Sequence, residues 1–266
     1  LLLAGFSAFE VLSYRWGVAS IVLIVFGWLS GCNFRLAGKD WGVVFLLSLL
    51  RAVTSFSLII AYQNIASGVA STIHFMYPLA VALAMMFFFR EKKSLLVILA
   101  VLMSLLGAAL LSLGELEAKS GNTMVGLVAA CVSVFSYAGY IVGVRTTRVV
   151  QINSTALTCY VMGLGTIFYL IGAYCTSGLQ LVSDGYTWLI ILGLALPATA
   201  ISNITLVQAI KYAGPTLTSI LGAMEPLTAV VIGVFVFKEL FTVNSAVGII
   251  LILLAVSIVV FRRQKS

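Results

Sequence analysis

Apolar residues run along this chain in stretches of about twenty, separated by short polar connections. Nine such stretches lie near 9–32, 41–63, 69–89, 94–113, 122–144, 153–177, 186–209, 216–237 and 243–261. A helix needs roughly 20 mostly apolar residues to cross a bilayer, so each stretch is predicted to be a spanning helix. The connections are too short to hold a soluble domain, and within lipid the backbone must find its partners inside the helix itself. Composition agrees: 62% of the residues are hydrophobic and 9% charged, where soluble domains carry about 25% charged residues. The expected fold class is an all-α polytopic membrane protein whose partner is the lipid bilayer.

A net charge of +7 first suggests an anionic partner, but its distribution gives a different explanation. Arg35 and Lys39, then Arg90, Lys92 and Lys93, then Arg145 and Arg148, then Lys211, then Arg262, Arg263 and Lys265 occupy every second connection. The intervening ones hold Glu115, Glu117, Lys119 and Asp184, or the balanced pair Lys238 and Glu239. This alternation is the positive-inside pattern. It places the C-terminus in the cytoplasm and makes nucleic acid unnecessary as a partner; the expected location is the cell membrane, a bacterial inner membrane. Nine spans that end inside must begin outside, and the opening Leu1-Leu2-Leu3-Ala4-Gly5 has no basic segment of a signal peptide. The expectation is a tenth helix ahead of residue 1. Cys32, Cys131, Cys159 and Cys175 form no C-x-x-C pair and read as small packing residues.

The chain also matches itself. At an offset of 148 residues, ASTIHFMYPLAVALAMMFFFREKKS (70–94) lies over TSILGAMEPLTAVVIGVFVFKELFT (218–242), with Pro78 over Pro226, Tyr77 over Glu225, and Arg90-Glu91 over Lys238-Glu239. The matched helices are the third and eighth of the nine spans. An odd separation makes them antiparallel, and inverted-topology repeats characterise many secondary transporters, whose sites lie beside helices broken by Gly or Pro. Pro78, Pro197 and Pro226 fall mid-span, where each removes a hydrogen bond and bends its helix. Pro215 follows Gly214 at a helix start, where a missing N–H costs little.

These residues resemble the EamA-type permeases of the drug/metabolite transporter superfamily. The doubled apolar helix with a central proline and an acidic end (Pro78 to Glu91, Pro226 to Glu239) carries the likeness. So do GLVAACVSVFSYAGYIVGVR (126–145), AIKYAGPTLTSILGAMEP (209–226) and the Arg in SYRWGVAS (13–20). The resemblance implies ten helices as an inverted repeat of two five-helix halves, here 1–120 and 121–266, around a central cavity. It further implies alternating-access export of a small-molecule substrate, amino-acid-like or amphipathic. The departure is the first helix, which in the family helps line the cavity.

Ionisable groups inside a bilayer are costly and usually face a bundle interior or a water-filled cavity. Glu225, about nine residues into its span, is expected roughly 13 Å deep, near the midplane of a core about 30 Å thick. It reads as a carboxylate for a substrate ammonium or as a proton carrier, and equally as a carboxyl that organises the kink at Pro226. Arg51 lies near the midplane too and is permanently charged. It either grips a substrate together with Glu225 or forms a structural pair. His74, the single histidine, offers proton exchange near neutral pH or simply packs. Arg15 reads as structural. Tyr62, Tyr77, Tyr137, Tyr140 and Asn203 fall on helices that the resemblance places around the cavity, where Tyr offers both a ring face and a hydroxyl. Tyr186 and Trp188 read as interfacial anchors, and Gly27-x-x-x-Gly31 and Gly139-x-x-x-Gly143 as close-packing devices.

An intramembrane enzyme is the main rival class. The single His74 has no G-x-S-x-G serine to serve, Asp40 and Asp184 both lie in connections, and neither a metal-ligand cluster nor a phosphate loop is present. No cofactor is called for. A channel or lipid flippase would share the repeat and the composition.

Overall fold

Helices occupy all nine apolar stretches in the computed structural model, which describes residues 6–91, 95–112, 121–176, 178, 180–222, 224–235 and 242–263. They are α1 (Ala8–Leu29), α2 (Trp41–Asn64), α3 (Ser67–His74), α4 (Tyr77–Phe88), α5 (Leu95–Ser112), α6 (Thr123–Thr146), α7 (Ser154–Thr176), α8 (Gly185–Ala195), α9 (Ser202–Ala213), α10 (Pro215–Leu221), α11 (Met224–Phe235) and α12 (Val243–Arg263). No strand occurs among the described residues. Among the described residues six helical segments are long and apolar enough to cross a membrane: Ala8–Leu29, Gly38–Asn64, Ser67–Phe88, Thr123–Thr146, Ser154–Thr176 and Gly185–Ala213. Large apolar side chains such as Trp28, Phe88, Leu95 and Phe135 are more than two-thirds exposed. Water would penalise such a surface, whereas acyl chains solvate it. Of the charges weighed above, Lys92, Lys93, Glu115, Glu117, Lys119, Lys238, Glu239 and Lys265 lie outside the described residues.

The prolines do more than bend helices. Pro78 has no N–H for the His74 carbonyl, and the chain stops α3 at His74 and starts α4 at Tyr77, which puts Pro78 in a first turn where the donor is not needed. Pro226 likewise cannot serve the Gly222 carbonyl. The Glu225 N–H takes that acceptor instead at 3.0 Å, and α11 begins afresh at Met224. Pro197 has a different effect: residues Leu196–Ile201 widen into a π-helical turn that joins α8 to α9. Gly214 precedes Pro215 with φ of 85°, a conformation glycine adopts without strain.

The chain divides into two compact units, Leu1–Phe56 with Gly143–Tyr212, and Ser57–Val142 with Ala213–Ser266. In the first, α1 packs along α7 and against α8 and the π turn. Gly165 gives way to Trp16, since a Cβ there would fall 2.2 Å from the indole, and Gly172 gives way to Phe9 in the same manner. Trp16 then meets Tyr169 edge-on at 5.1 Å, and Phe9 stacks on Phe56 at 4.4 Å. Ser7 and Glu10 cap α1 reciprocally, with Ser7 N–H donating to Glu10 Oε2 at 2.7 Å and Glu10 N–H to Ser7 Oγ at 3.3 Å. Asp184 caps α8; the Thr187 hydroxyl and N–H bonded to its carboxylate hold it below the usual carboxylate range.

In the second unit α5 lies along α12, and α10 packs on α4. Ala82, Met86, Ala100, Val101, Ile220 and Ala255 form the shared core. The small Ala82, Ala100 and Ala255 among them let backbones approach, which is how helices associate where lipid removes the hydrophobic driving force. Thr216 donates to Glu91 Oε2 at 2.7 Å and ties the start of α10 to the residues that end α4.

The glycine and cysteine expectations need correction. Gly31 lies beyond α1 with φ of 65° and no neighbour, while Gly27 is covered by the Phe34 ring of its own connection, so Gly27-x-x-x-Gly31 is a turn rather than a helix–helix contact. Gly143 does make room for Leu47. Cys159 is buried, whereas Cys131 and Cys175 are exposed.

Gly107 tests the α5–α12 seam, because a Cβ there would sit 2.7 Å from the Gly248 carbonyl oxygen, a backbone atom that cannot step aside. Gly107→Ala is expected to destabilise the protein by about 1–3 kcal/mol, read as a lower melting temperature in detergent. Gly163→Ala, with nothing within 4 Å of the new methyl, is expected to leave it unchanged or raised.

Candidate functional site

The expected site residues divide between the two units. Arg51 lies half-buried on α2, its Nε donating to Asn203 Oδ1 at 3.2 Å and its Nη1 to Ser55 Oγ at 3.3 Å. Asn203, 3% exposed, is the second residue of α9 and donates its amide to the Thr199 carbonyl at 2.7 Å. That bond leaves the amide oxygen for Arg51. The π turn after Pro197 is thus what presents Asn203.

Arg15 serves the same turn. Its Nε donates to Thr199 Oγ1 at 2.5 Å and its Nη2 to the Ala198 carbonyl at 3.1 Å, which fits the structural role read from the sequence. Arg15 and Arg51 are near enough to repel one another. Tyr169 stands against both and donates its hydroxyl to the Ala52 carbonyl at 2.8 Å. Nothing in the sequence pattern singled out Thr199 or Tyr169, since a threonine in a helix and a tyrosine in an apolar run are both commonplace.

In the second unit the break between α3 and α4 gathers an aromatic cluster. His74 stacks on Tyr137 with centroids 5.4 Å apart, lies 5.5 Å from Tyr77, and Tyr77 meets Tyr137 edge-on at 4.6 Å. All three are buried, as is Tyr140. Tyr62 shares a hydrogen bond with Ser71 Oγ at 3.1 Å. The Tyr77 hydroxyl reaches the backbone of Gly222, where an added Cβ would come within 1.8 Å of it. Gly222 therefore belongs to the cluster, although the sequence reading did not select it.

His74 Nδ1 lies 2.9 Å from Ser133 Oγ. Ser133 has one hydroxyl proton and stands 2.6 Å from the Ala130 carbonyl, which can only accept. The serine donates there and accepts from Nδ1–H, so the neutral ring carries its proton on Nδ1 and Nε2 is the acceptor.

Glu225 is exposed and lies in the first turn of α11, just past the break that follows α10. The unpaired amides of a helix N-terminus favour a negative charge there.

Apolar helices with exposed hydrophobic faces, interrupted at prolines and holding arginine, histidine and tyrosine among them, define a multi-pass membrane protein. The chain belongs to the EamA-like transporter family, part of the drug/metabolite transporter superfamily, whose profile matches residues 1–113 and 124–261. Its fold is similar to that of 28 chains in solved structures. One of these, a protein crystal structure, superposes with a TM-score of 0.82 at 18% identity, covering 98% of this chain and 90% of that one. That likeness concerns the fold alone. No curated protein matches the sequence.

The Ser133 contact yields a spectroscopic prediction. Imidazole nitrogen shifts of the labelled protein at neutral pH are expected to report the Nδ1–H tautomer for His74, and Ser133→Ala is expected to shift the balance toward Nε2–H.

Proposed function

We propose that this protein is a secondary-active or facilitative carrier that exports small, amino-acid-like or amphipathic metabolites by alternating access. The observation that carries the reading is the interruption of apolar segments where polar side chains cluster. His74 and Tyr77 flank one break, and Glu225 follows another. Interrupted helices at the substrate site are a recurring transporter device, because a helix end supplies both partial charge and unpaired backbone groups.

Taken unit by unit, the seven expected residues offer distinct chemistry, Arg51 and Asn203 in the first unit and the other five in the second. Arg51 and Asn203 receive an acidic group, with Arg51 exchanging its neutral partners Asn203 and Ser55 for a carboxylate. Tyr77, Tyr137 and Tyr140 with His74 give aromatic faces and hydroxyls to an apolar or ring-bearing portion. Glu225 meets an ammonium or carries a coupled proton, and His74 is the second candidate for the proton. The two segments matched at an offset of 148 residues break within one residue of each other's register, before Tyr77 and before Met224, which favours an inverted repeat. The alternation of basic connections favours the cell membrane with a cytoplasmic C-terminus.

Comparing metabolites in cells with and without the gene identifies candidate substrates, and uptake into proteoliposomes then tests them. Wild-type transport is expected to respond to an imposed pH gradient, and Glu225→Gln or His74→Ala to abolish that response. Transport indifferent to the gradient and unchanged in both variants would sink the proton-coupled reading.

A further inference from the structure

A cavity of about 720 Å³ opens in the first unit, lined among others by Arg35, Lys39, Asp40, Arg148 and Gln151. It lies where α1 ends, α2 begins, α6 has just ended and α7 begins, so it sits at one end of four span-length helices. That position is the membrane–water boundary. Trp28, in the last turn of α1, and Trp41, the first residue of α2, are both exposed and of the type that settles at that boundary.

The walls are held by the protein itself. Tyr160 donates its hydroxyl to the Phe34 carbonyl, and Trp41 packs edge-on against Tyr160 at 5.5 Å. Asp40 N–H donates to the Ala37 carbonyl at 2.9 Å. On the opposite wall Asn153 Oδ1 accepts from Thr155 N–H at 2.8 Å, and Lys211 Nζ donates to the Ile152 carbonyl.

The charges inside are uncompensated. Arg35, Lys39 and Arg148 make no ion pair and no side-chain hydrogen bond among the described residues. Three cations against one carboxylate favour an anion. Asp40 gives the second clue, being 9% exposed with its Oδ1 buried and without a hydrogen-bond donor. A buried unpaired carboxylate oxygen is expensive, and a fully ionised phosphate ester group, having only acceptors to offer, would not relieve it. The occupant must bring both an anionic group for the cations and a donor for Asp40.

We propose that this cavity binds a phosphate ester bearing hydroxyl groups, with the phosphate on Arg35, Lys39 and Arg148 and a hydroxyl donating to Asp40. This chemistry is shared by the glycerol-phosphate head group of an anionic phospholipid and by a free polyol phosphate. Basic pockets at the ends of membrane helices are suited to such head groups. The position at the boundary allows acyl chains to remain in the bilayer while the head group enters.

The test uses the full chain in phosphatidylcholine nanodiscs, with thermal unfolding and native mass spectrometry as readouts. Phosphatidylglycerol is expected to raise the melting temperature and to be retained in preference to phosphatidic acid, which lacks the glycerol hydroxyls. Arg35→Gln with Arg148→Gln, both exposed positions that leave the fold intact, is expected to weaken retention by about tenfold or more. Asp40→Asn is expected to keep phosphatidylglycerol and phosphatidic acid binding while erasing the preference between them. Glycerol 1-phosphate is the second probe: stabilisation by it at millimolar concentration identifies a soluble source, and its failure beside phosphatidylglycerol binding identifies the lipid. No binding of either probe, or binding that the arginine variants leave unchanged, overturns the proposal.

Discussion

A backbone group inside a bilayer has no water to turn to, and this constraint organises the structure wherever a helix is interrupted. Each proline removes one donor, and at Pro226 the removal is met locally. Glu225 N–H covers the carbonyl that Pro226 cannot reach. Arg15 and Asn203 donate to the Ala198 and Thr199 carbonyls of the turn that follows Pro197. Part of the polar content of the membrane segments is thus explained by the backbone before any substrate is considered.

That separation sharpens the roles of the two arginines. Arg15 is committed to a carbonyl and to a hydroxyl of the π turn, so moving it would uncover backbone. Arg51 is bonded to the side chains of Asn203 and Ser55. Side chains can rotate to release a guanidinium, whereas a carbonyl in a packed turn cannot. Two residues of the same type, close enough to repel, consequently differ in how readily each can change partners.

Much of the fold was legible because its signal is coarse. Twenty apolar residues in a row allow little besides a spanning helix, and the matched prolines marked where segments 67–88 and 215–235 would be interrupted. What escaped was the manner of interruption. Sequence spacing placed Glu225 nine residues into a span without showing that those residues are divided between two helices, α10 and α11. It also took Gly27-x-x-x-Gly31 for a helix contact when Gly31 lies past the end of α1. Among the site residues the titratable and aromatic ones stood out by chemistry alone, and His74, Tyr77 and Tyr137 do meet. Ser133, Thr199 and Gly222 did not stand out, because their parts in these clusters depend on which helix faces them.

The same geometry explains why the matched positions Tyr77 and Glu225 hold such different side chains. Both follow a break by one or two residues and lie in the first turn of a new helix, just ahead of a proline. A neutral phenol can be sealed in the protein, and Tyr77 is, with its hydroxyl against Gly222 and its ring against His74 and Tyr137. A carboxylate cannot be sealed there without a counter-charge. Glu225 is exposed instead, where the positive end of its helix favours its charge. The two breaks thus supply similar backbone settings just ahead of a proline, with an aromatic side chain buried at one and an acid exposed at the other.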